Sequence, residues 1–194
     1  MVVGIYGGSF DPIHSGHAMV ANFVAQCNVV DEVWIMVSRR NPLKEQGAYA
    51  SDEERLEMAG IVAKECRNVK VTDIEMTLPT PSYTIETLKE LKSRYPEDEF
   101  KIIIGSDSLE RFDQWKESEK IRKEFGVIVY PRPGYPMPSS EGEGFTFLSG
   151  APEFGISSSL IREYAASGWN LNYFVPVGVA NYIKTKRLYE QRNK

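Results

Sequence analysis

Short apolar runs alternate along the chain with longer stretches in which apolar residues recur every three or four positions. The runs occupy residues 2–6, 33–37, 69–74, 100–104 and 125–130, and residues 146–148 form a shorter sixth. Most of them are apolar at successive positions, which is typical of strands that are buried on both faces of a parallel sheet. The pattern therefore predicts five buried strands and a short sixth.

The stretches between the runs predict helices. A helix is expected from residue 16 to about residue 26, directly after a glycine-rich turn. A second opens at Ser51, because Ser51 and Glu54 have the spacing of a capping box, and residues 39–50 before it are predicted as a loop. A third helix and one over residues 157–167, which Gly168 would end, complete the series. The inward positions of the second and third helices are Leu56, Met58, Ile61, Val62, Ile85, Leu88 and Leu91.

Strands that alternate with helices in this way indicate a Rossmann-like, doubly wound parallel sheet within a three-layer α/β/α sandwich. The chain of 194 residues is expected to form a single domain over residues 1–194. Ligands of such sheets bind beyond the carboxyl ends of the strands, where the strand order reverses. The loops after the first and fourth strands, residues 7–17 and 105–107, are therefore the expected site. The proline-rich residues 131–138, continuing to residue 144, are expected to be an exposed loop and not a domain linker.

Composition and charge narrow the function. The net charge of −4 argues against broad, sequence-independent binding of nucleic acid, which requires a basic face. There is no apolar run long enough to span a membrane. Cys27 and Cys66 have neither metal-ligand nor disulfide-framework spacing, so two reduced thiols and a cytoplasmic location are expected.

The segment from Gly7 to His17, GGSFDPIHSGH, carries the clearest chemical signal. Gly7 and Gly8 follow a strand directly and let the backbone approach a bulky anion. His14 and His17 lie three residues apart where a helix begins, so their side chains can converge on one face, at a helix end that attracts phosphate. The alternative is a surface turn with two incidental histidines. The segment has neither the Gly-Lys-Ser/Thr element of a P-loop nor the G-x-G-x-x-G dinucleotide fingerprint.

GGSFDPIHSGH resembles the H-x-G-H signature of the nucleotidylyltransferase superfamily, and ISSSLIR at residues 156–162 resembles its second signature. Four further segments are similar to bacterial nicotinate-nucleotide adenylyltransferases: PSYTIETL at 81–88, IIGSDSL at 103–109, RPGYP at 132–136 and YIKTKRLY at 182–189, together with the Trp115 position. One segment departs from the pattern. NPLK at residues 41–44 stands where members of that family commonly carry P-P-H and a basic residue.

The resemblance implies an adenylyltransferase that joins ATP to nicotinate mononucleotide in NAD biosynthesis, releasing pyrophosphate without a covalent intermediate. The implied catalytic residues are His14, His17 and Arg162. The implied ATP-binding residues are Gly7, Gly8, Ser9, Phe10, His14, His17, Gly105, Asp107, Ile156, Ser157, Ser158 and Arg162. The implied mononucleotide-binding residues are Ser9, Lys44, Thr84, Ile85, Trp115 and Lys116. Mg²⁺ is expected to bind phosphate oxygens and water molecules, with no protein side chain as a ligand.

Several of these residues have simpler interpretations. Asp107 is expected to bind the ATP ribose, but it could equally be a helix N-cap; Trp115 could be core, and Lys44 a solvated loop charge. For His17, the helix dipole disfavours the imidazolium, and bound triphosphate is expected to favour it.

Two other functions remain open at this point. One is a sibling adenylyl- or cytidylyltransferase acting on nicotinamide mononucleotide, phosphopantetheine or another phosphorylated acceptor. The other is a non-catalytic nucleotide-binding regulator. Nucleotides are the expected partners, and the sequence leaves a homo-oligomer open.

Overall fold

Six parallel strands form one sheet in the computed structural model, which describes residues 1–39, 50–138 and 142–190. The sheet order is β3-β2-β1-β4-β5-β6, so the strand order reverses between β1 and β4. The strands are β1 Val2–Gly8, β2 Glu32–Val37, β3 Val69–Thr72, β4 Glu99–Gly105, β5 Val127–Tyr130 and β6 Phe145–Phe147. All five neighbouring pairs are parallel, which confirms the doubly wound sheet.

Helices connect the strands and cover the sheet. They are α1 Ser15–Val24, α2 Asp52–Glu65, α3 Thr84–Arg94, α4 Ser106–Leu109, α5 Ser118–Lys120, α6 Ser158–Ala166 and α7 Val177–Lys186. Short 3-10 turns occupy Ile74–Thr77 and Phe112–Gln114, and a π-helical turn occupies Ile121–Phe125. None of the helices in the described ranges is long and apolar enough to cross a membrane.

The sheet divides the hydrophobic core into two clusters, one on each face. Ile35 of β2 packs in a cluster with residues of α1, α2, α6 and α7. Its neighbours in the strand, Trp34 and Met36, point the other way, into a cluster with residues of α3. Successive residues of the same strand are thus buried on opposite faces, which is why the sequence runs are apolar at successive positions. The three-layer arrangement is confirmed.

The local signals for the helix ends are confirmed. The Ser51 side chain accepts a hydrogen bond from the Glu54 amide at 3.2 Å, and the Glu54 carboxylate accepts one from the Ser51 amide at 2.8 Å. Gly168 follows α6 with a φ of +73°, a left-handed conformation that glycine adopts without strain.

Two predicted strand boundaries were wrong. Ile74 does not end β3 but begins the 3-10 turn, where its carbonyl accepts the Thr77 hydroxyl at 2.8 Å. Phe125 belongs to the π-helical turn, because Gly126, with a φ of +86°, separates it from β5. The sequence pattern also missed α7.

Candidate active site

A cavity of about 430 Å³ lies at the carboxyl ends of β1 and β4, where the strand order reverses. Its lining includes Tyr6, Gly7, Gly8, His17, Met36, Ser38, Glu75, Ser82, Thr84, Gly105, Asp107, Ser108, Trp115, Tyr130 and Arg132. The structure therefore brings together the two loops that the sequence predicted as the site. Of the residues predicted to bind ligand, Gly7, Gly8, His17, Thr84, Gly105, Asp107 and Trp115 line this cavity.

Two glycines in the wall are crowded, Gly105 more so than Gly8. A Cβ at Gly8 would come within 3.0 Å of the Phe10 ring. A Cβ at Gly105 would come within 2.8 Å of Arg132 Cγ and closer still to Asp107 Oδ1. Glycine at these two positions therefore lets the Phe10, Asp107 and Arg132 side chains pack directly against the backbone of the wall.

His14 and His17 form a reciprocal cap at the start of α1. His14 is the N-cap residue, and its Nδ1 accepts from the His17 amide at 3.4 Å. His17 Nδ1 in turn accepts from the His14 amide at 3.3 Å. The two rings stack with centroids 3.6 Å apart and an interplanar angle of 21°. The predicted convergence of the two histidines is confirmed, and the cap fixes both rings.

Both imidazoles are neutral at pH 7 in the free protein. Burial lowers the pKa of His14 to about 4, and the nearby Arg132 charge adds to that effect. Burial also holds the pKa of His17 well below its ordinary value, with further contributions from His14 and Arg132. Because each Nδ1 accepts a backbone hydrogen bond, the single proton of each ring lies on Nε2. His17, which lines the cavity, can therefore donate one Nε2–H bond to an anion without carrying charge, whereas the His14 ring is buried and lies outside the lining.

Phe10 supports His17 from the side. The Phe10 ring is buried and meets the His17 ring edge-on, with centroids 5.0 Å apart. It also meets Tyr6 edge-on at 5.4 Å. Its side chain is thus occupied by packing, so only its main chain could serve the ATP-binding role that the resemblance implies.

Arg132 is a cation of the cavity that sequence analysis did not assign to the site. Its Nε lies 3.8 Å from Asp107 Oδ2, and its amide donates to Ser106 Oγ at 2.9 Å. The available signal was its position in RPGYP, directly after a strand whose carboxyl end borders the site. The N-cap of α4 is Gly105 and not Asp107, so the interpretation of Asp107 as a helix cap was wrong.

A smaller cavity of about 230 Å³ adjoins the start of α3 and is lined by Ser82, Tyr83, Thr84, Gln114, Trp115 and Lys116. Trp115 is half-buried and lines both cavities. It also packs against the core beside Phe112, with ring centroids 5.5 Å apart, so it is both a wall residue and a core contact. The N-cap position of α3, Tyr83, makes no side-chain cap, so the first amides of the helix, at Thr84 and Ile85, have no such partner.

The side chains of the predicted mononucleotide-binding residues vary in their surroundings. The Ile85 side chain is fully buried in the core. Lys116 pairs with Glu86 at 2.5 Å and lies 4.3 Å from the centre of the Tyr83 ring. Only main-chain contacts are therefore expected from Ile85. Lys44 lies outside the described residues.

Glu75 fixes the segment that leads into α3. This buried carboxylate accepts hydrogen bonds from the Ser82 and Thr87 hydroxyls, each at 2.9 Å. Glu75 lines the main cavity and Ser82 lines both cavities, so these bonds hold the shared wall between the two cavities.

The ISSSLIR segment meets the 7–17 loop at Asp11 and Pro12. Ser158 Oγ donates to the Pro12 carbonyl at 3.0 Å, and Arg162 donates to the Asp11 carbonyl at 2.7 Å. Ser157 is the N-cap of α6, its side chain accepting from the Leu160 amide at 3.3 Å. Ile156, just before it, packs against the core. The two signature segments are therefore in direct contact.

Arg55 is a buried support of the loop that sequence analysis missed. Only 2% of its side chain is exposed. It donates to the Ser9 carbonyl at 2.6 Å and to the Ser38 carbonyl at 2.8 Å, and it pairs with Asp52 at 2.5 Å. Arginine is rarely buried unless paired, so its position in a helix gave no signal of this role.

No three His, Cys, Asp or Glu side chains within the described ranges are grouped so as to hold a metal ion. Two carboxylates line the main cavity, and each already has a partner. Asp107 pairs with Arg132, and Glu75 accepts hydrogen bonds from two hydroxyls.

Residues 5–164 match the cytidylyltransferase-like protein family. The chain is 45% identical over 180 residues to the "Probable nicotinate-nucleotide adenylyltransferase" of Bacteroides fragilis, covering 93% of this chain and 90% of that one. A protein of the same name from Bacteroides thetaiotaomicron is 40% identical over 181 residues, with 93% and 90% covered. Among solved structures, the Plasmodium falciparum nicotinic acid mononucleotide adenylyltransferase complexed with NaAD has a TM-score of 0.79 and 23% identity, covering 97% of each chain. At that identity the structural likeness shows the fold.

Proposed function

Because the chain belongs to the nicotinate-nucleotide adenylyltransferases of the cytidylyltransferase-like family, we propose that it joins ATP to nicotinate mononucleotide, giving deamido-NAD and pyrophosphate. One observation carries the proposal. The capped histidine pair, the two crowded glycines and the adjoining Trp115 cavity all lie at the strand-order reversal. The two cavities, of about 430 and 230 Å³, share Ser82, Thr84 and Trp115, as a site for two adjacent nucleotides requires.

The reaction is the attack of the mononucleotide phosphate on the α-phosphorus of ATP, in line with the departing pyrophosphate. The second pKa of a phosphate monoester is about 6, so the nucleophile is already mostly dianionic at pH 7 and no general base is needed. The requirement is to bring two polyanions together and to stabilise charge on the leaving group. The neutral Nε2–H donor of His17 and the charge of Arg132 suit that requirement.

The ATP side of the site is assigned to the loop and to α6. His14, His17 and Arg162 would contact the ATP phosphates, with Arg162 and the first amides of α6 on the β- and γ-phosphates. Asp107 would accept hydrogen bonds from the ribose hydroxyls. The structure supports these roles through the contact between α6 and the loop and through the place of Asp107 in the cavity wall. Mg²⁺ bound to phosphate oxygens would neutralise charge on the triphosphate.

The mononucleotide side is assigned to the smaller cavity. Its pyridine ring would stack on Trp115, and the amides of Thr84, Ile85 and Lys116 would meet the carboxylate of nicotinate. Open amides at the start of α3 suit a carboxylate, since a helix N-terminus favours negative charge. Ser9 and Lys44 would take the mononucleotide phosphate.

Nicotinate mononucleotide is expected to be preferred over its amide by roughly tenfold or more. A carboxylate accepts from two donors, whereas a carboxamide turns its NH₂ toward one of them and leaves that donor unpaired. A buried unsatisfied donor costs about 1–3 kcal/mol. The measurement is pyrophosphate release with ATP and each mononucleotide, and equal kcat/KM values would contradict the preference.

The same assay separates the other candidate functions. Phosphopantetheine and other phosphorylated acceptors test for a sibling transferase. Pyrophosphate release with one of those acceptors, and none with nicotinate mononucleotide, would overturn the proposed substrate. ATP binding without release from any acceptor would indicate a nucleotide-binding regulator.

Replacing Trp115 with alanine is expected to raise the KM for the mononucleotide by about 10- to 100-fold, because stacking of a base on an aromatic side chain contributes about 1–3 kcal/mol. The KM for ATP should change much less, since in the proposed arrangement the pyridine ring stacks on Trp115 and ATP lies toward the 7–17 loop and α6. Trp169→Ala is the matched control, because Trp169 is exposed and stacks on Tyr164 away from both cavities. Circular dichroism and a melting curve accompany the kinetics. A Trp115→Ala protein that unfolds, or that raises both KM values equally, would contradict the stacking role.

A further inference from the structure

Side chains from α2 and α6 hold the carbonyl groups of the 7–17 loop. Each of the three bonds is 3.0 Å or shorter, and they join Arg55 to the Ser9 carbonyl, Arg162 to the Asp11 carbonyl and Ser158 to the Pro12 carbonyl. A backbone whose carbonyls are bonded in this way has a fixed orientation. The conformation of the loop therefore depends on side chains from elsewhere in the chain.

The carboxylate of Asp11 is the centre of a further set of contacts. Asp11 is 6% exposed. Its Oδ1 accepts the Ala50 amide at 3.1 Å and the Tyr189 hydroxyl at 2.7 Å. Ala50 directly precedes Ser51, the N-cap of α2. One oxygen atom thus joins the loop, the start of α2 and the C-terminal segment.

Tyr189 is placed for this contact by the turn that follows α7. The helix ends at Lys186, and Arg187 and Tyr189 both have left-handed backbones, with φ of +52° and +65°. The turn buries Tyr189, which is 4% exposed. Burial and the Asp11 carboxylate raise the pKa of Tyr189 above its usual value, so its hydroxyl stays a donor over the working pH range. The segment 182–189 resembled the family, yet the proposed mechanism gives it no role.

We propose that Tyr189 is a positioning residue for the ATP site, acting through Asp11. The inference rests on the proposed function. Asp11 stands between Gly8 and His14, so its position sets how the glycine turn and the histidine cap face each other. Tyr189 does not line the cavity and has no contact with substrate in this arrangement; its effect on the reaction passes through one hydrogen bond.

The physical reason is the burial of Asp11. A buried carboxylate with one donor fewer moves toward other donors or water, and the loop moves with it. A displacement of 1 Å at a site that depends on alignment can cost about 100-fold in rate. The acceptor cavity is held by separate bonds, those from Ser82 and Thr87 to Glu75, and should keep its shape.

The test is a double-mutant cycle with Tyr189→Phe, Asp11→Asn and the double variant, in the full chain. Tyr189→Phe removes only the hydroxyl and keeps the buried ring. We expect kcat/KM for ATP to fall about 10- to 100-fold and the KM for the mononucleotide to stay within about twofold. Tyr164→Phe is the control, since the Tyr164 hydroxyl has no hydrogen bond to the described residues and its ring stacks on Trp169. It should keep wild-type kinetics.

Coupling between the two positions decides the inference. If Tyr189 acts through Asp11, the double variant is no slower than Asp11→Asn alone, because neighbouring residues in one hydrogen-bond network are not additive. Additive losses, or a Tyr189→Phe protein with a lower melting temperature and unchanged kcat/KM, would overturn it and leave Tyr189 a structural residue.

Failure of the proposed function gives a different result. A wild-type protein that releases no pyrophosphate with any acceptor contradicts the proposed reaction. In that case calorimetry with α,β-methylene-ATP tests the inference on its own. Severalfold weaker binding by Tyr189→Phe supports the positioning role, and unchanged binding overturns it.

Discussion

Replacing His17 with alanine is expected to lower kcat by roughly 10²–10³, the loss seen when one preorganised donor to developing charge is removed. The Nε2–H of His17 is the donor, because its Nδ1 is occupied by the His14 amide. The KM for ATP should change much less, since Arg162 and the amides of α6 still hold the triphosphate in the proposed arrangement. Steady-state kinetics at saturating mononucleotide measure both quantities.

The structure adds a stability cost to this variant. His17 is half of the cap of α1, and loss of a cap costs about 0.5–2 kcal/mol. Its removal should therefore lower the melting temperature slightly, and kinetics must be measured well below that temperature. His17→Asn should recover part of the rate, since an amide can donate to the same oxygen without carrying charge.

The pH profile tests the charge on His17. An imidazolium would have to protonate Nδ1 and lose the bond from the His14 amide, so the cap argues against the charged form that bound triphosphate was expected to favour. If His17 works as a neutral donor, kcat stays level as pH rises from 7 to 9. If an imidazolium with an ordinary pKa of about 6.5 were required, kcat would fall tenfold per pH unit in that range.

The kinetics of His17→Ala also distinguish catalysis from binding. Unchanged kcat in His17→Ala with a large rise in the ATP KM would mean that His17 only binds substrate.

Replacing Arg55 with alanine is expected to lower the free energy of unfolding by about 3–5 kcal/mol, the cost of breaking a buried charge network by removing one partner. The variant would leave the Ser9 and Ser38 carbonyls without their donor and Asp52 without its partner. In a chain of this length each kcal/mol shifts the melting temperature by about 2–4 °C. Urea unfolding and calorimetry measure the two effects.

A matched substitution on the same helix is Lys64→Ala, because Lys64 is exposed in the last turn of α2. The free energy of unfolding of this variant should lie within about 0.5 kcal/mol of the wild-type value. Arg55→Lys keeps the charge but not the planar fork, which reaches the two carbonyls through Nη1 and Asp52 through Nη2, so an intermediate loss is expected. An Arg55→Ala protein as stable as Lys64→Ala would show that the buried guanidinium does not support the loop.

Local patterns in the sequence were sufficient for the sheet and for the position of the site. A strand that is apolar at successive positions needs a layer on each face, and the short length of these runs distinguishes them from helices. The capping box at Ser51 and the stop at Gly168 depend on residues at most a few positions apart. Once the strands are parallel and the order reverses, the loops after β1 and β4 must meet at one edge.

Where the pattern was weak, the element boundaries were wrong. Residues 69–72 alternate apolar and polar side chains, and the polar Asp73 breaks the alternation. The chain leaves the sheet before Ile74, which is buried in a 3-10 turn instead. Strand and turn both bury an apolar residue, so hydrophobicity alone could not choose between them.

The sequence by itself determined the strands, their parallel arrangement and the loops that form the site, because these follow from the spacing of apolar residues and from short-range capping and turn chemistry. Only the tertiary structure decided which polar groups meet inside that frame. Tyr189 and Asp11 are 178 positions apart, Arg55 reaches Ser9 across 46 positions, and Arg132 enters the cavity through the packing of the loop after β5. Such pairs form because buried donors and acceptors must find partners once the layers are packed, and no local spacing specifies which partner that will be.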